Sequence, residues 1–189
     1  DGGGRGGRAT AAGRRPRPGK GEVTGPLDLF VNETAWWIDE LDGYAFRHDN
    51  LGIRIAAGEW QTTRFEFADL IERGKVDVAQ PDVGRVGGFT EAMKVCAMAA
   101  DHGRLIVPHC WKTAIGIAAS VHLAAVTPHY AYDEFLPAEL CDSMLRRDLT
   151  TADLTMVDGV IPLPTKPGLG IELNRDALER FRDPGLQGR

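Results

Sequence analysis

Three times between Gly52 and His109, a short apolar run ends in a glycine or proline followed at once by an ionisable residue. Residues 53–57 lead to Gly58-Glu59, 76–80 to Pro81-Asp82, and 105–107 to Pro108-His109. A fourth run, 130–135, contains Glu134. Helical periodicity fills the intervals. Over 63–73, Phe67, Leu70 and Ile71 share one face and Gly74 is the stop. Thr90 is placed to cap a helix whose shared face is Met93, Cys96, Ala97 and Ala100, with Gly103 closing it. Residues 114–126 are almost uniformly apolar and helical. Strands alternating with helices of this length predict βα units and a parallel sheet. Strands apolar throughout fit burial on both faces. The alternation by itself suits an open doubly wound sheet as well as a closed barrel. No GxGxxG or GxxxxGK[ST] follows any of the runs, which weighs against nucleotide binding.

The spacing of the ionisable residues narrows the choice. Glu59, Asp82, His109 and Glu134 lie 23, 27 and 25 residues apart, close to the roughly 30 residues of one unit in an eight-unit barrel. They therefore occupy equivalent places on successive strands, and a closed barrel brings such residues to one mouth. Taken singly, Glu59 reads as a turn carboxylate, Glu134 as a surface residue and His109 as a packed imidazole. Four in register are harder to dismiss.

Charge divides the chain. The 189 residues carry a net −5, but 1–22 hold six basic side chains against Asp1 and Glu22, so the remainder carries −9. An acidic body argues against nucleic acid and suits carboxylates gathered around a cation. Residues 1–25, rich in Gly, Arg and Pro, are expected to be a disordered tail. GGGRGGR is one short Arg/Gly tract without repeated aromatics, a weak basis for RNA binding. No apolar run spans a membrane. Cys96, Cys110 and Cys141 have no metal-ligand spacing and read as reduced thiols of a cytoplasmic protein.

IAAGE (55–59), QPDVGRVGG (80–88), VPHCW (107–111), DEFL (133–136) and PLPTKPGLGIEL (162–173) resemble the barrel of the mandelate racemase and muconate lactonizing branch of the enolase superfamily. In texture they are nearest its acid-sugar dehydratases and cycloisomerases. The resemblance implies an α/β fold, a partial TIM-type (β/α) barrel over 26–175, with 176–189 as a C-terminal tail. It implies a lyase or isomerase that uses Mg²⁺ to abstract a proton α to the carboxylate of a sugar acid. Glu59, Asp39 and Asn32 then stand at the metal-ligand positions, His109 is the base, Asp82 its partner, and Glu134 the acid on the last strand. Trp111 and Lys112, next to His109, are placed for substrate contact or for packing; His48, His102, His122 and His129 read as structural. Assembly of the barrels into homo-oligomers is also implied.

The pattern departs from the family in four places. Asn32 stands where the family has an Asp, and Asp39 where it has a Glu. Only six residues separate the two, too few for a crossover between parallel strands, and 41–52 reads as a short connection. The family's N-terminal capping domain and first two strands have no counterpart, so a truncated or damaged product is expected. A second reading, of a different class, is a non-catalytic remnant or interaction module on a half-barrel scaffold.

Overall fold

A computed structural model describes the backbone of residues 30–32 together with residues 40–111, 113–135, 140 and 143–183. Expectations for residues 1–25, Asp39, Lys112 and Cys141 fall outside the described residues. The first element, β1 (Phe30–Asn32), is followed by α1 (Leu41–Asn50) and β2 (Arg54–Ala57), then α2 (Arg64–Glu72) and β3 (Val78–Ala79). Next come α3 (Val83–Val86), α4 (Phe89–Asp101), β4 (Leu105–Ile106), β5 (His109–Cys110), α5 (Ala114–Val126) and β6 (Glu134–Phe135). Two short helices, α6 (Met144–Arg147) and α7 (Arg175–Arg180), close the series.

Among the described residues, the pairings between β-strands are all parallel. β1, β2, β3 and β4 lie in that order, and β5 pairs with β6. Pro108, which has no N–H, separates β4 from β5. The two still form one path: Val107 N–H donates to Ala79 and His109 N–H to Pro81, while Ala131 and Glu134 donate to Ile106 and Pro108. The repeat predicts the parallel sheet, and the sheet is a partial (β/α) barrel, as the family resemblance implies.

Side chains alternate across the strands. Ala56, Val78 and Val107 pack together on one face. Ile55, Ala57, Ala79 and Ile106 meet the helices, against Phe67, Leu70, Ile71 and Val95. Burying side chains of the size of Phe67 and Leu70 contributes about 1.5–3 kcal/mol each, so this helix–sheet layer carries most of the core. At the N-terminal strand ends, Asp77 Oδ2 accepts from Ile55 N–H at 3.1 Å and pairs with His48 Nδ1 at 3.2 Å. Arg104 reaches its other oxygen at 3.4 Å. The structural reading of His48 rests on that node.

Four local expectations are corrected. Residues 41–52 are not a bare connection but contain α1, so β1, α1 and β2 form one crossover unit. Thr90 does not cap α4. The left-handed Gly87 (φ 110) and Gly88 (φ 82) turn the chain from α3 into α4, Gly88 is the N-cap, and Thr90 lies inside the helix. The buried face of α4 is Ala92, Val95, Cys96 and Ala99, whereas Met93 and Ala97 are exposed. Both faces contain Cys96 at helical spacing; smaller side chains let α4 approach its neighbours, and Arg64 fixes its rotation by donating to Glu91 at 2.6 Å. The segment 176–189 begins within α7, which Asn174 caps by accepting from Ala177 N–H at 3.2 Å, and Ala177 is fully buried.

Candidate active site

The strand ends deliver their side chains to one place. Gln80 and Asp82 follow Val78 at period two, and His109 follows Val107, so all three continue the face formed by the inner apolar residues. Glu59 reaches that face by another route. Simple alternation from Ala57 would turn it toward the helices, but Gly58 has φ 133, a conformation open to glycine, and re-aims the chain. A Cβ at Gly58 would sit 2.7 Å from the Phe67 ring and 3.0 Å from Gln80 N.

His109 is the centre. Its Nδ1 is 3.0 Å from Asp82 Oδ2, and its Nε2 is 3.5 Å from Glu59 Oε2. Asp82 is held in turn because its Oδ1 accepts from Gly84 N–H at 2.8 Å, capping α3. Glu59, His109 and Glu134 each offer a donor atom within 4.8 Å of the others. Burial opposes charge on the imidazole. The hydrogen bond to Asp82 and the charges of Glu59 and Glu134 outweigh burial and hold the His109 pKa above its usual value.

Sequence reasoning missed Gln80. Its side chain is 0 % exposed, its Nε2 donates to Glu134 Oε2 at 2.7 Å, and its Oε1 is buried without a partner among the described residues. The available signal was its place two residues before Asp82, just past the end of β3. Trp111 stacks on His109 with ring centroids 5.8 Å apart and remains 49% exposed. The Arg85 guanidinium lies 3.9 Å over the Trp60 ring, tying the turn after β2 to α3. A cleft of about 440 Å³ lined by Tyr130, Tyr132, Asp133, Phe135 and Val160 is separate, since none of the four site residues lines it.

Of the expected site residues, the structure brings Glu59, Asp82, His109 and Glu134 together. Asn32 ends β1, which is hydrogen-bonded directly to β2 with Asn32 opposite Ala56. The strand beside that of Glu59 is therefore the one ending in Asn32. Asp39 lies outside the described residues.

The sequence profile of the enolase C-terminal domain-like family matches residues 21–177. The chain belongs to that family. Similar curated members of the enolase superfamily include the D-galactarolactone cycloisomerase of Agrobacterium fabrum, 37% identical over 151 residues, which cover 77% of this chain and 40% of that protein. The D-galactonate dehydratase of Xanthomonas campestris pv. campestris is 36% identical over 162 residues, covering 82% of this chain and 41% of that one. Among solved structures, a mandelate racemase/muconate lactonizing enzyme from Sulfitobacter is 34% identical with a TM-score of 0.71, over 80% of this chain and 37% of that one. Another from Jannaschia is 30% identical with a TM-score of 0.73, over 82% and 38%. The chain thus spans about 40% of the length of the curated relatives it matches. No helix among the described residues is long and apolar enough to cross a membrane.

Proposed function

We propose that this chain carries the proton-transfer side of an active site that removes a proton α to the carboxylate of a sugar acid, most simply as an acid-sugar dehydratase. Racemases and cycloisomerases share that first step. The observation that supports this most is the Asp82–His109 pair, 3.0 Å apart, set between the Glu59 and Glu134 carboxylates. With Nδ1–H donated to Asp82, the Nε2 lone pair is the base, and the Asp82 charge stabilises the imidazolium that forms. Glu134, whose Oε2 accepts from Gln80 Nε2, would in its protonated form hydrogen-bond the substrate carboxylate as charge develops there. In a dehydration, His109 then returns its proton to the leaving β-hydroxyl.

The donor chemistry fits magnesium. The β1–β2 register sets Asn32 opposite Ala56, three residues before Glu59. Glu59, Asp39 and Asn32 offer two carboxylates and an amide oxygen, the hard oxygens that Mg²⁺ takes. When bound there, the ion supplies a positive charge that polarises the substrate carboxylate.

The test is α-proton exchange in D₂O with a panel of sugar acids, comparing the chain with His109→Ala. Exchange that survives the substitution removes His109 from the mechanism. The second reading, of a different class, is a non-catalytic module on the half-barrel scaffold. It predicts no specific heat of Mg²⁺ binding in calorimetry.

A further inference from the structure

We propose that Glu59, His109 and Glu134 form a site for a borderline transition dication such as Zn²⁺ or Co²⁺, and that its occupation blocks proton transfer. The binding of the ion is argued from the geometry of the cluster alone; only the block of proton transfer rests on the proposed reaction. Three donors from three separate strand ends lie within 4.8 Å of one another, and His109 Nε2 is already 3.5 Å from Glu59. Ligands about 2.0–2.2 Å from one ion need only a modest contraction of that triangle. One imidazole nitrogen with two carboxylate oxygens suits zinc or cobalt, whereas magnesium prefers an all-oxygen shell. The site is therefore chemically different from the Asn32–Asp39–Glu59 set, although the two share Glu59.

Two buried groups support ligation. Asp82 Oδ2 lies 3.0 Å from Nδ1, so in the neutral ring with its proton on Nδ1 the Nε2 lone pair faces the cluster, and an ion binding there displaces any proton that Nε2 carries; metal-binding histidines are oriented by the same kind of partner. Gln80 holds one oxygen of Glu134 at 2.7 Å, and its own Oε1 is fully buried with no partner among the described residues. The ion would occupy the lone pair that proton abstraction requires, so binding and base catalysis exclude each other.

The experiment is ¹⁵N NMR of the histidine rings of the full, metal-free chain during titration with ZnCl₂, alongside calorimetry with ZnCl₂ and MgCl₂. One equivalent of Zn²⁺ should shift His109 Nε2 and leave Nδ1 hydrogen-bonded. The heat of Zn²⁺ binding should vanish in His109→Ala and weaken in Glu134→Gln. Asp82→Asn should weaken it by roughly 10–100-fold. Should His109→Ala fail to fold, the wild-type ring shifts and Glu134→Gln decide the matter. Zn²⁺ shifts confined to other histidines, unchanged affinity in Glu134→Gln, or full displacement of Zn²⁺ by an equal concentration of Mg²⁺ would overturn the proposal. Absence of α-proton exchange in the zinc-free chain refutes the proposed reaction and leaves the zinc result standing.

Discussion

Replacing Asp82 by alanine and by asparagine separates its structural role from its electronic one. Oδ1 caps α3 through Gly84 N–H at 2.8 Å, and Oδ2 binds His109 Nδ1 at 3.0 Å. Alanine removes both bonds. Loss of the cap costs about 1 kcal/mol, and the buried imidazole N–H left without an acceptor costs about 1–3 kcal/mol more. The expected destabilisation is about 2–4 kcal/mol. Asparagine keeps a carbonyl oxygen for the cap and presents an N–H to Nδ1, so the second bond survives with donor and acceptor exchanged. Its cost should stay below about 1 kcal/mol. The exchange drives the ring proton onto Nε2, the atom facing Glu59, and the base loses its lone pair. The same change in a serine-protease dyad lowers turnover by ~10⁴-fold. Urea unfolding measures the two stabilities, and ¹⁵N shifts report the tautomer. An asparagine variant as unstable as the alanine one, or one whose Nε2 stays unprotonated, would refute the reasoning.

Titration of His109 in the metal-free chain should give a pKa above the ordinary value of about 6.5. Because the folded value is raised, its stabilising contribution is complete below about pH 6.5 and is lost as pH rises through the folded pKa. Urea midpoints of the wild type should therefore fall relative to His109→Gln over that interval; a rise would contradict the charge arrangement. Glu91 has the opposite sign: Lys94 and Arg64 hold its carboxyl down to about 2 from 4.5. Wild type should lose stability relative to Glu91→Gln as pH falls from 4.5 toward 2, and a pH-independent difference would exclude the pairing. Gly58→Ala should cost at least about 2 kcal/mol through backbone strain and overlap with Phe67. An unchanged urea midpoint would show that Gly58 does not need its left-handed conformation.

What the sequence determined by itself was whatever depends on chain-local order. Strand, turn and helix repeat along the chain, so the residue type at each strand end and the interval of 23 to 27 residues are written linearly. From these the parallel sheet could be read and, given a closed barrel, the convergence of Glu59, Asp82, His109 and Glu134. The helix face of 63–73 was equally legible, since Phe67, Leu70 and Ile71 offer one apolar stripe. In α4 two overlapping stripes compete, and packing chose the one of smaller side chains. Lateral relations were settled only in three dimensions. That β1 pairs directly with β2, that Gln80 grips Glu134 across 54 residues, and that Trp111 lies over His109 all depend on which strands become neighbours and in what register. A side chain's address along the chain sets which end of the sheet it occupies; its partner there is set by closure of the sheet, which no local pattern encodes.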